Sequence, residues 1–161
     1  MKLITLFISF FLLASPDLAS VRKQYIGAGS SEQDAAELFK TMEAVSDESG
    51  NHTMLAYKAA AYTLKAKYEK GLLNKKNLFT KGAKMLEGVI KKDPSNYEAR
   101  LLRLSIQENA PKITGYNKDI EEDKKFILTN YSNQKQDLKE FAKGFVNQSA
   151  LFSASDKAAL K

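Results

Sequence analysis

From Ser30 to the C terminus, apolar residues recur at intervals of three and four, the period of an amphipathic helix. No stretch alternates β-branched and polar residues, so no strand is predicted. The first helix is expected from Ser30 or Ser31, with Ala35, Leu38, Phe39 and Met42 on one face, ending in Asp47-Glu48-Ser49-Gly50-Asn51. A second, from about Thr53 to Lys70, carries Tyr57, Ala61, Leu64 and Tyr68 as its stripe. Alanines at 59, 60, 61 and 66 keep it thin, and Gly71 is expected to close it. A third, from about Lys76 to Lys92, places Leu78, Phe79, Ala83, Leu86, Val89 and Ile90 on one face and lysines opposite. Gly82 falls inside that apolar face. A helical Gly costs ~1 kcal/mol relative to Ala, so its place there predicts a helix crossing too close for a side chain.

The fourth helix, Tyr97 to Asn109, has an unusual pattern. Tyr97, Leu101 and Leu104 form one apolar stripe; Ala99, Leu102 and Ile106 form another on the opposite side. A helix apolar on two sides is sandwiched between layers. Arg100, Arg103 and Gln107 share one polar seam between the stripes. Pro111 breaks the chain and Gly115 permits a turn. A fifth helix, about Lys118 to Tyr131, opens with Asp119, Glu121, Glu122 and Asp123, which suit the positive end of a helix dipole. A sixth, about Lys135 to Asn147, aligns Leu138, Phe141, Ala142 and Phe145. Ser155-Asp156 is expected to cap a short terminal helix. About six helices joined by short connections predict an all-α fold of antiparallel helical hairpins.

The N terminus reads differently. One cation, Lys2, precedes an apolar run from Leu3 to Leu13, followed by Pro16 and small residues. This is the layout of a secretory signal peptide, too short to span a bilayer comfortably. Residues 1–20 are therefore expected to be a leader and residues 21–30 a flexible lead-in around Ile26-Gly27-Ala28-Gly29. Residues 31–161 would be a single helical domain. The mature chain would start at Val21 and be secreted or periplasmic. The alternative is an uncut anchor, through which alone the protein would meet a membrane. Of 161 residues, about 140 then remain, the size of one domain. There is no cysteine, so stability must come from an ordinary core.

The segment Gly82, Leu86, Val89, Pro94, followed by Ser95-Asn96-Tyr97-Glu98-Ala99, resembles a tetratricopeptide (TPR) repeat boundary: small and large apolar residues, then a proline, at the motif's spacings. Upstream, where the motif carries a large apolar residue, a Leu-Gly pair and a Tyr, this chain has Ala66, Glu69-Lys70 and Leu73. The likeness implies a TPR-like right-handed array. The stretch from Arg100 through Pro111 to Phe126 is also similar to small secreted helical proteins of Gram-negative bacteria. That resemblance implies a compartment and a fold but no activity.

Catalytic chemistry finds few residues to use. His52 is the only histidine and is expected in an exposed turn. No nucleophile elbow, phosphate loop or dinucleotide fingerprint occurs. No catalytic residue, metal site or cofactor is expected, and the protein is read as a non-enzyme. The Asp119–Asp123 carboxylates lack the alternation and glycine of a calcium loop. Glu108 and Asp119 are the one acid pair to weigh for glycosidic chemistry. The formal net charge is +6. Lysines such as Lys65, Lys81 and Lys91 read as solvated faces, with no nucleic-acid module among them. Arginine occurs only at 22, 100 and 103. Two within one helical turn point to planar, bidentate pairing that lysine cannot copy. The seam of Arg100, Arg103, Gln107, Asp119 and Asp123 is thus either an internal ion-pair network or a recognition site. Binding of a protein or peptide partner is the expected function. The alternative is lysine-driven binding of an anionic polymer or membrane surface.

Overall fold

The computed structural model describes residues 16–160. The apolar run on which the leader expectation rests lies outside them. All regular structure among the described residues is helical: α1 (Leu18–Ala28), α2 (Glu32–Glu43), α3 (His52–Tyr68), α4 (Leu72–Lys92), α5 (Tyr97–Asn109), α6 (Ile120–Asn130), α7 (Gln136–Gln148) and α8 (Ala154–Ala159). Single 3-10 turns occupy Lys112–Thr114 and Tyr131–Asn133. Side-chain caps set most starts: Ser31 accepts from the Asp34 amide, Asn51 from Met54 and Asn96 from Ala99. At α8 the cap is Ser153 rather than the expected Ser155, and Asp156 bonds back to form a capping box.

Two boundaries differ from expectation. The lead-in at 21–30 is not flexible chain: most of it is α1, capped by Asp17, with Val21 and Ala28 fully buried against α2 and α3. Its stripe of Leu18, Val21, Tyr25 and Ala28 packs into the core, but it straddles the expected leader boundary and runs into Gly27 and Gly29, which read as flexible chain. Gly27 sits where a Cβ would come within 2.8 Å of the Asp34 carboxylate. Gly71 does not close α3, which ends at an extended Glu69; it is the N-cap of α4, which begins four residues earlier than its pattern suggests. The extra turn projects past the packed body, so its side chains obey no apolar period.

α5 separates two cores, as its double stripe predicts. Ala99, Leu102 and Ile106 join α1–α4 around Leu38, Met42, Tyr57 and Leu86. Tyr97, Leu101 and Leu104 join α6, α7 and the C-terminal segment around Ile127, Val146, Phe152 and Leu160. α3 and α4 form the tightest hairpin: a Cβ on Gly82 would lie 2.6 Å from the Ala59 carbonyl oxygen and 2.8 Å from the Thr63 methyl carbon. The obstacle is backbone, which cannot rotate away.

Gly82→Ala should therefore destabilise the fold despite the better helix propensity of alanine, by the ~1–3 kcal/mol typical of overpacking, and Gly82→Leu by more. Gly88 is the control, on the same helix and with nothing within 4 Å of where a Cβ would stand. Gly88→Ala should stabilise by up to ~1 kcal/mol. Thermal melts of the two alanine variants should move in opposite directions.

Candidate functional site

The polar seam of α5 closes on itself. Asp123, on the first turn of α6, is wholly buried. Arg103 grips it bidentately, Nε to Oδ2 at 2.6 Å and Nη2 to Oδ1 at 2.8 Å. Arg100 donates to the same carboxylate at 2.7 Å, to Glu122 at 2.9 Å and to the Pro94 carbonyl at 2.8 Å, with its guanidinium 4.5 Å from the Phe126 ring centre. Arg103 reaches Glu87 of α4 at 2.8 Å, and Asp119 lies 3.5 Å away. Tyr116 donates to the other Glu87 oxygen at 2.6 Å. Burial opposes the Arg103 charge, but the bonds and fields of Asp123, Glu87 and Asp119 outweigh it and raise its pKa. Glu122 is held below the ordinary carboxylate range by its bond to Arg100. The seam thus joins α4, α5 and α6 through charges that satisfy one another. Gln107 stands apart: both its amide atoms are buried without a hydrogen-bond partner among the described residues.

A second buried cluster lies on the other flank of α5, and sequence reasoning missed it. Arg22 of α1 grips Glu98 bidentately, with Nη2 to Oε2 at 2.9 Å, and also reaches Asp137 of α7. Tyr57, fully buried on α3, donates to Glu98 at 2.6 Å. Tyr25 donates to Ser105 at 2.9 Å. Burial, reinforced by the negative Glu98, pushes the Tyr57 hydroxyl well above its ordinary pKa. Burial, offset in part by Ser105, takes Tyr25 up to about 12. The signal was present in the composition: Arg22 is the third of only three arginines.

Other expected groups have structural partners. His52 is not in a turn but is the first residue of α3, half-buried, with Nδ1 3.6 Å from Asp93. Glu108 accepts from the Ala150 amide at 2.6 Å, tying the end of α5 to the chain just after α7, while Asp119 lies 3.5 Å from Arg103. Lys58, which the sequence did not single out, is also buried and bonded to the Val45 carbonyl and Asp47.

What remains open is a cleft of about 410 Å³ across the outer face of the α3–α4 hairpin, lined by Tyr62, Lys65 and Glu69 from α3 and by Asn74, Asn77, Leu78 and Lys81 from α4. Lys81 donates to the Tyr62 hydroxyl at 2.7 Å, a bond that raises the pKa of its ammonium. Lys65 lies 3.9 Å over the Phe39 ring, which meets Tyr62 edge to face. The cleft therefore presents two fixed ammonium groups and two amides beside one carboxylate. Comparison of the chain with protein-family models, curated proteins and solved structures finds no match.

Two measurements probe the buried clusters. Arg103→Ala leaves the Asp123 carboxylate buried with two of its three hydrogen bonds lost, so it should cost ~3–5 kcal/mol, against ~1 kcal/mol or less for the surface change Lys91→Ala. Denaturant unfolding compares them directly. Tyr25, Tyr57, Tyr97 and Tyr116 all have raised pKa values, with burial the first cause. The folded state then holds these protons where the unfolded state releases them. Stability should be intact below the ordinary tyrosine pKa of ~10 and fall as pH rises above it. The tyrosinate absorbance of these four residues should appear together with loss of helix, not before it.

Proposed function

We propose that this is an extracytoplasmic, non-enzymatic protein built as a TPR-like array of helical hairpins, which holds a peptide or protein partner. The observation that carries the reading is the cleft on the α3–α4 hairpin. It combines donors at several angles, Lys65, Lys81, Asn74, Asn77 and Tyr62, with the apolar side of Leu78. Ammonium and amide donors together suit the carboxylates and backbone carbonyls of an acidic peptide segment. The buried seam of Arg100 and Arg103 does not compete for the role, since its charges are consumed within the fold. The leader-like pattern of residues 1–20 supplies the compartment in this reading.

Acidic peptides in an array, presented to the purified protein, should be retained over basic and neutral ones. Lys81→Ala and Asn77→Ala should each weaken the best binder by about tenfold or more, the scale of one hydrogen bond to a charged group. Both positions are exposed, so the melting temperature should hold. Unchanged binding in both variants at low salt would remove the cleft from consideration.

A further inference from the structure

The first turn of α4 carries two leucines that the fold does not use. Leu72 is 83% exposed and Leu73 70% exposed, at the free tip of the α3–α4 hairpin. Lys67, Lys70, Lys75 and Lys76 surround them in sequence. None of these ammoniums lies within ion-pairing distance of a carboxylate among the described residues. Lys67 and Lys75 instead donate to the carbonyls of Gly29 and Lys67, which fixes their positions without cancelling their charge. The one acid in the tip, Glu69, accepts from the Lys70 amide.

A second apolar point lies toward the same end of α4. Arg103 meets Glu87, and Tyr116, further along the chain, meets Phe79, further back on α4, so α5 returns along α4 and carries the 3-10 turn toward its N-terminal half. The Tyr116 ring, 5.8 Å from Phe79, holds that turn against α4. Within the turn Ile113 is 96% exposed beside exposed Lys112.

We propose that this end of the protein docks on an anionic lipid bilayer, with Leu72 and Leu73 entering the headgroup–acyl boundary and the lysines meeting lipid phosphates. Charge complementarity selects that occupant. A pair of leucines on a narrow projection is too small for a stable protein interface, which needs about 800 Å² per partner. A fluid surface demands no matching shape, and apolar insertion plus cationic contact is how peripheral elements bind it. Tip-to-tip pairing of two copies would oppose like charges across a small apolar contact. This docking adjoins the peptide cleft but rests on residues that do not line it, and it is distinct from any membrane contact of the N-terminal segment.

The absence of cysteine allows a single-site probe. Leu73→Cys in the full chain, labelled with an environment-sensitive fluorophore, is compared with the same label at Lys92→Cys, at the opposite end of α4. Vesicles of phosphatidylglycerol and phosphatidylcholine should blue-shift and brighten the label at 73 but not at 92. Pure phosphatidylcholine should have little effect, and high salt should reverse the change. Charge reversal by Lys70→Glu with Lys76→Glu should weaken the response by about tenfold or more, on the scale of fivefold per lysine. The leader-like residues are common to all these proteins and leave the comparison intact. A label at 73 that stays in water with anionic vesicles overturns the proposal. So does a blue shift without lipid that grows with protein concentration, which would make the tip a self-association surface. An equal response to neutral vesicles, unaffected by the charge reversal, also overturns it.

Discussion

A helix packed on two opposite sides has nowhere to place a charge except against another charge, and α5 is such a helix. Its apolar stripes serve two cores, so its polar flanks run along closed seams. Each flank resolves the constraint in the same way. On one, Asp123 receives Arg100 and Arg103; on the other, Glu98 receives Arg22 and Tyr57. Burying one of these charges alone would cost far more than the fold can spare, so each helix that supplies a partner is committed to its position. α1, α3 and α7 are tied to one flank, α4 and α6 to the other. The two cores are coupled through α5 even where their apolar side chains do not meet.

Much of this was legible in the chain. The double stripe of α5, the choice of arginine at 100 and 103, and the glycine at 82 each point to a structural feature by a physical necessity. The structure contains all three: two cores, a buried bidentate pair, and a crossing with 2.6 Å between a would-be Cβ and a carbonyl. What escaped reading shares a different property. α1 packs Leu18, Val21, Tyr25 and Ala28 on the first core, and its bidentate polar contact is made 76 residues away. Its stripe begins inside the expected leader and ends among glycines, so it does not read as an element of the domain. The first turn of α4 escaped for the opposite reason, since it touches little and its leucines mark no face.

The candidate site divides along the same line. Residues singled out for chemistry because they are charged and clustered in sequence, Arg100, Arg103, Asp119 and Asp123, proved to be engaged with one another. Gln107, on the same face, is buried without a partner among the described residues. The open cleft draws residues from two helices that meet only after folding, separated by the Gly71 turn. No local spacing announces it. Charge that faces inward is consumed by the fold, and charge that can act on another molecule lies on the α3–α4 hairpin.

That hairpin also bears on the order in which the parts assemble. Its contacts join residues close in the chain, such as Tyr62 and Lys81, 19 apart. α1 packs locally on α2, but its side-chain hydrogen bonds to the rest of the fold span 76, 80 and 115 residues. Contacts between distant residues form late, because the chain between them must first be ordered. Glu98 and Ser105 must stand on a completed α5 before Arg22 and Tyr25 can reach them, and Asp137 must wait for α7. The polar ties of the N-terminal helix are consequently the last to form.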